Sequence, residues 1–169
     1  MSQSKVHTCR VVISRLELLA GTLFMLALLV LLSVQVVSRY LLSNPLVWTE
    51  EISRFIFVWL VMIGAAYVSS VQQHLALTIV TDHLKDRVFD IWMRVISVLV
   101  AVASAIVAYQ GIAFVQSTIP LASPGAGISM SVLYFGSLIG FALIFLHSLE
   151  VVIFGPMSRD NAMEMESGV

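Results

Sequence analysis

Four long apolar runs constrain the fold of this chain more than any other feature. Runs 18–37, 55–71 and 95–115 contain no charged residue, and in run 131–149 only His147 titrates near neutral pH. A helix needs about 20 apolar residues to cross roughly 30 Å of hydrocarbon. The composition agrees, because 11% charged residues is well below the roughly 25% of soluble domains. We therefore predict an all-α membrane protein with four transmembrane helices.

The flanking residues set the expected boundaries of the membrane domain. We predict a cytoplasmic tail over 1–15, a membrane domain over 16–155 and a disordered cytoplasmic tail over 156–169. The spans are expected at about 18–38, 45–71, 92–115 and 131–152. The second span is extended back because Asn44 suits an N-cap and Pro45 a first helical turn. The first run exceeds the apolar core of a signal peptide and lacks a small-residue cleavage site, which predicts a retained span.

Basic residues predict the orientation of the spans. With cytoplasmic termini, seven of the nine Lys and Arg residues lie inside, and only Arg39 and Arg54 lie outside. Cytoplasmic segments of membrane proteins carry such an excess. We therefore expect both termini in the cytoplasm.

The segment between the second and third spans has its own periodicity. Leu77, Val80, Leu84, Val88 and Ile91 recur at spacings of three and four. This pattern predicts a short amphipathic helix on the membrane surface, although a solvated connector is an alternative.

Small residues mark the faces on which the spans are expected to pack. Lipid offers no hydrophobic drive for helix association, so close contact between small residues matters in the membrane. The third span carries five small residues that follow one another at intervals of 4, 3, 4 and 3 positions. The fourth span has a G-x-x-x-G pair, and the second has a group of adjacent small residues. The predicted packing residues are Gly64, Ser97, Ala101, Ser104, Ala108, Gly111, Gly136 and Gly140.

A dense polar cluster lies around the start of the second span. It comprises Arg39, Glu50, Glu51 and Arg54, and Glu50 and Arg54 have the favourable i, i+4 order for a helix pair. Charges at this depth are costly unless they are paired or interfacial. The cluster is interpreted either as an anchor for the second span or as a polar contact with a partner protein.

Catalytic and cofactor-binding signals are absent from the sequence. It has no P-loop, nucleophile elbow or H-E-x-x-H motif, and its single cysteine excludes a cysteine metal cluster. We expect no enzyme activity, metal or cofactor, and the net charge of -1 gives no basis for nucleic-acid binding. Glu17 is expected to pair with Arg15 at the interface, and His147 to make a boundary hydrogen bond near Glu150.

The polar and aromatic positions together resemble a known family. The sequence resembles the small membrane subunit of tripartite ATP-independent periplasmic (TRAP) transporters, the DctQ-like family. The resemblance extends over roughly 16–150 and is strongest over 35–75. It rests on Gln35-Val-Val-Ser-Arg39-Tyr40, Pro45, Trp48-Thr-Glu50-Glu51, Arg54, Phe57-Val-Trp59, Gly64-Ala-Ala and His74.

The resemblance implies a location, partners and a role. It places the chain in a bacterial inner membrane, bound to a large membrane subunit and helping to dock a periplasmic substrate-binding protein during sodium-coupled uptake of an organic acid. The residues implied for partner contact or interfacial anchoring are Arg39, Tyr40, Trp48, Glu50, Glu51, Arg54, Trp59 and His74. One departure is Ser129, near a position where family members often carry a second proline, so the outer loop is the least defined part of the resemblance.

Two other functions stay open at this point. The membrane-anchor subunit of a respiratory enzyme complex also has few spans, but it would usually need intramembrane histidines for haem or a quinone pocket. A small dimeric drug exporter would need an acidic residue deep in a span, and Glu17 is too close to the boundary.

Overall fold

The computed structural model of the chain describes residues 2–41, 43, 46–71 and 86–155, and it consists mainly of four helices. They are α1 (Ser2–Tyr40), α2 (Val47–Val71), α3 (Asp86–Thr118) and α4 (Ser131–Phe154). Segments long and apolar enough to cross a membrane cover Val11–Tyr40, Val47–Ser70, Ile91–Thr118 and Ser131–Phe154. The predicted class, an all-α protein with four membrane-spanning helices, is confirmed.

Three of the four helices begin at positions other than the predicted starts of the spans, and the limits of the spans in the membrane stay predictions. Helix α1 begins at Ser2, so the predicted tail over 1–15 is almost wholly helical; no glycine or proline precedes Gly21 to interrupt it. Helix α2 begins at Val47, two residues after Pro45, where the start of the span was predicted. In its first turn the Thr49 hydroxyl donates to the Leu46 carbonyl at 2.7 Å. Helix α3 begins at Asp86 and ends at Thr118, which is longer at both ends than predicted.

The predicted surface helix between the second and third spans lies mostly outside the described residues. Its last positions, from Asp86 onward, belong to α3. The predicted tail over 156–169 also lies outside the described residues.

The helices pack in the order α1, α2, α4, α3. Helix α2 packs against both α1 and α4, whereas α3 packs mainly against α4. The buried residues include more polar side chains than apolar ones, most of them serine and threonine. Small hydroxyl side chains allow backbones to approach closely, as is usual where helices associate in lipid. Large apolar side chains cover the outer surface instead.

Two glycines of α4 lie directly against α2. A methyl group added to Gly136 would lie 2.6 Å from Nε1 of Trp59, and one added to Gly140 would lie 2.7 Å from Cβ of Met62. On α3, a methyl group at Gly111 would meet Leu138 of α4 at 3.3 Å. These three positions lie at helix contacts within the chain.

The remaining predicted packing residues divide between buried and open positions. On α3, Ser97, Ala101 and Ser104 are buried, and Ala108 is partly buried. Gly64 of α2 is different, because a methyl group there would meet no described atom within 4 Å. Among the described residues, therefore, nothing packs against Gly64.

Candidate functional site

A group of polar contacts lies where α1 and α3 end and where α2 and α4 begin, which we call the loop end. The connection from α3 to α4 folds back on itself there as a small hairpin. Ser123 N–H donates to the Ile128 carbonyl at 2.8 Å, and Met130 N–H donates to the Leu121 carbonyl at 2.8 Å. Gly127 has a φ of +68°, a conformation that glycine adopts without steric cost.

Glu51 of α2 binds the tip of this hairpin. Gly125 N–H donates to both of its carboxylate oxygens at 2.9 Å, and Ala126 N–H donates to Oε2 at 2.7 Å. A methyl group on Gly125 would lie 2.9 Å from Cγ1 of Val47, so a residue without a side chain permits this approach. A carboxylate that accepts from consecutive backbone N–H groups fixes the position of both segments.

Ser129 closes the base of the same hairpin. Its hydroxyl donates to the Ile119 carbonyl at 2.8 Å and accepts from Ser131 N–H at 3.3 Å. The position that departs from the family pattern therefore joins the end of α3 to the start of α4.

Glu50, the neighbour of Glu51 in sequence, pairs with two arginines. Its carboxylate oxygens lie 3.8 Å from Nη2 of Arg39 and 3.7 Å from Nη2 of Arg54. The Glu50 side chain is 55% exposed, and exposed pairs of this kind contribute little to stability. The structure thus separates the predicted four-residue cluster into an exposed charged group, Glu50 with Arg39 and Arg54, and the Glu51 contact with the loop.

The aromatic residues predicted for the site lie in different surroundings. Tyr40 and Trp48 are exposed near the loop end. Trp59 lies between helices, its ring centre 6.0 Å from that of Phe24 and 6.3 Å from that of Phe135. Its Nε1–H donates to the Val132 carbonyl at 3.0 Å, which gives it an intrachain packing role; contact with a partner stays a prediction. His74 lies outside the described residues.

At the opposite end, two polar contacts join α1 to other helices. His147 Nε2 of α4 lies 2.9 Å from Oε1 of Glu17, and the side chains are only 4% and 5% exposed. The hydroxyls of Ser14 and Ser70 are 3.0 Å apart between α1 and α2. Glu17 thus pairs with His147 and not with Arg15 as predicted, because nothing in one sequence shows that residues 130 positions apart meet.

These arrangements suit binding and positioning rather than bond chemistry. Among the described residues, no group of three or more His, Cys, Asp or Glu side chains is placed to hold a metal ion. The hydrogen-bonded polar groups hold helix ends together, and the exposed charged group offers a surface. The fold and this site define a multi-pass membrane protein whose polar contacts concentrate near the ends of its candidate spans.

The comparison with known families is more specific. Residues 16–155 match the family described as the DctQ component of tripartite ATP-independent periplasmic transporters, so the chain belongs to this family. It is therefore a small permease subunit and a multi-pass inner-membrane protein, a transporter component and not an enzyme. The family assignment replaces the respiratory-anchor alternative.

Individual relatives agree with the family. The chain is 32% identical over 100 residues to the sialic acid TRAP transporter small permease protein SiaQ of Vibrio cholerae. The aligned region covers 58% of each of the two chains. It is 29% identical over 120 residues to a putative TRAP transporter small permease protein of Haemophilus influenzae, covering 69% of this chain and 73% of the relative.

A third relative is a much larger protein. The chain is 30% identical over 114 residues to the sialic acid TRAP transporter permease protein SiaT of Haemophilus influenzae, covering 67% of this chain but 18% of that permease. The chain thus spans a little over half of SiaQ and less than a fifth of SiaT.

Proposed function

We propose that this chain is the static membrane subunit that binds the large membrane subunit of a TRAP transporter and helps dock its periplasmic substrate-binding protein. The complex would carry out sodium-coupled uptake of an organic acid. Sialic acid, named for two of the relatives, is a sugar acid and exemplifies that class. A partner in the same membrane is supported by SiaT, in which a region similar to this chain is joined to a far longer remainder.

The Glu51 contact is the observation that carries the docking proposal. It fixes the α3–α4 hairpin onto the start of α2, directly beside exposed Glu50 and its two arginines. A pre-ordered surface loses little conformational freedom when a protein binds to it. The predicted orientation, with both termini in the cytoplasm, places this loop end in the periplasm.

The positions of the titratable groups favour a scaffold over a carrier. Within their candidate spans, Glu17, Arg94 and His147 lie towards one side of the membrane, and Glu50 and Glu51 towards the other. Substrate and coupling-ion sites of secondary transporters instead lie near the bilayer midplane, at interrupted helices. Each described span here is one continuous helix.

Docking can be tested with the assembled complex. The chain is co-expressed with the large subunit and placed in lipid nanodiscs, and labelled periplasmic binding protein is titrated onto the complex. We expect Glu50→Gln and Glu51→Gln to weaken this binding, because one removes surface charge and the other releases the hairpin. Arg15→Gln, which changes one exposed charge at the opposite end, is the matched control and should bind like the unchanged complex.

Two results would contradict the proposal. Equal affinity of the binding protein for all four complexes would remove the loop end from docking. Uptake of labelled sialic acid by proteoliposomes that contain this chain alone would show that it is a carrier rather than a scaffold.

A further inference from the structure

The outward face of α3 changes character along its length. Towards the start of the helix this face is apolar and exposed, with Val95, Leu99, Val102 and Ile106. Over the last three turns it carries exposed Tyr109, Gln110, Ala113, Gln116 and Ser117, which we call the polar α3 face. Residues of this face border a shallow depression of about 540 Å³.

The polar α3 face points away from the rest of the chain. Successive residues of an α-helix are rotated by about 100°, from 3.6 residues per turn. On this basis the polar α3 face lies on the side opposite buried Ser97, Ala101 and Ser104, and α4 is the main packing neighbour of α3. Packing among the described residues therefore does not account for the polar side chains.

Helix geometry places Gln110 inside the hydrocarbon. The candidate span Ile91–Thr118 has 28 residues and is therefore about 42 Å long. When it is centred in the bilayer, it extends about 6 Å beyond the hydrocarbon at each end. Gln110 lies about 12 Å from the Thr118 end, and so about 6 Å below the hydrocarbon boundary. The contact between Gly111 and Leu138 agrees, because Leu138 is about 7 Å below the boundary when α4 is centred in the same way.

Three exposed hydroxyl groups in the spans bond to their own helix, but the Gln110 side chain does not. The hydroxyls of Thr22 and Ser33 donate to the carbonyls four residues earlier, at 2.8 Å, and Ser117 donates to the Phe114 carbonyl. The Gln110 carboxamide forms no hydrogen bond with any described residue. A carboxamide in hydrocarbon needs a partner, because no water is available there.

We propose that the polar α3 face is the surface through which this chain contacts the large membrane subunit within the bilayer. The occupant is a membrane-spanning helix of that subunit that presents uncharged hydrogen-bonding groups to Gln110. This inference rests on the proposed function. SiaT supports this occupant over a second copy of the chain, because its remaining four-fifths is joined in one polypeptide to the region similar to this chain. The outer face of α1, with Leu29 and Leu32 exposed, suits lipid instead.

Gln110→Leu distinguishes a protein contact from lipid exposure by the sign of its effect. Leucine costs less than glutamine in lipid, so a lipid-facing position would tolerate the change or gain from it. At a protein contact, the loss of an intramembrane hydrogen bond should weaken association about three- to fifteen-fold. The measurement is the affinity between the chain and the large subunit in lipid nanodiscs, with thermal unfolding of the chain alone as the check on folding.

A photo-crosslinking amino acid identifies the neighbour directly. It is placed at Ala113 on the polar α3 face and, as the matched control, at Leu29 on α1. We expect an adduct of the chain with the large subunit from position 113 only. An adduct between two copies of the chain from position 113 would overturn the inference. So would the absence of any adduct there together with an unchanged affinity of Gln110→Leu for the large subunit. In both cases the proposed function would stand. If the unchanged chain and the large subunit do not associate, the proposed function fails with it.

Discussion

Among the described glycines, Gly136 has the closest neighbour to an added methyl group, so Gly136→Ala is a sharp test of the helix packing. The added methyl group would lie 2.6 Å from Nε1 and 2.7 Å from Cδ1 of Trp59. Real Cβ contacts do not occur at such distances, so the indole must move. That movement would disturb the hydrogen bond from Trp59 to the Val132 carbonyl at 3.0 Å.

The expected cost follows from three contributions. Overpacking a close contact costs about 1–3 kcal/mol, and the loss of a neutral hydrogen bond costs about 1 kcal/mol. Replacing a helical glycine by alanine returns about 1 kcal/mol through helix propensity. We therefore expect Gly136→Ala to lower the free energy of unfolding by about 1–3 kcal/mol.

Gly64→Ala is the matched control, since a methyl group there meets no described atom within 4 Å. It should be neutral or stabilise the chain by up to about 1 kcal/mol, from propensity alone. Both variants are compared by thermal unfolding in detergent, with tryptophan fluorescence as the signal. Equal unfolding temperatures for the two variants would refute the assigned contact between α2 and α4.

The two buried or backbone-binding carboxylates give two further predictions. Glu17→Ala should lower the free energy of unfolding by about 1–3 kcal/mol, because it leaves His147 buried without its partner. Glu17→Gln retains one hydrogen bond and should cost less. Equal losses of stability for the two variants in thermal unfolding would contradict the pairing of Glu17 with His147. Glu51→Ala should speed amide hydrogen exchange at Gly125 and Ala126, whose N–H groups donate to the Glu51 carboxylate. Glu50→Ala is the control. Equal exchange rates in the two variants would show that Glu51 does not hold the loop.

Hydropathy and charge were sufficient to predict the four spans, because the bilayer requires a minimum length of apolar helix. They did not locate the helix ends, since a helix can continue into polar sequence when nothing interrupts it. Helix α1 shows this: its polar first turns are helical back to Ser2. The small residues were also informative, because Gly136 and Gly140 lie against α2, although the same pattern at Gly64 met open space.

The sequence could not predict which polar groups meet. Glu50 and Glu51 are neighbours in sequence, yet one faces two arginines and the other faces a hairpin more than 70 residues away. Their different roles depend on the packing order of the helices, in which α2 lies beside α4. The contact between Glu17 and His147 likewise requires α1 and α4 to approach at one end, and their spacing along the chain carries no signal of this.

The distribution of polar contacts argues for a rigid subunit. Glu51 fixes the α3–α4 connection to α2 at the loop end, while Glu17 with His147 and Ser14 with Ser70 join α1 to α4 and α2 at the other end. Hydrogen-bonded contacts at both ends, of which Glu17 with His147 and Ser14 with Ser70 are buried, oppose sliding or rocking of one helix against another. Alternating access needs such movement of one bundle against another. The contacts at both ends therefore support the proposed role of the chain as a static subunit rather than a carrier of substrate.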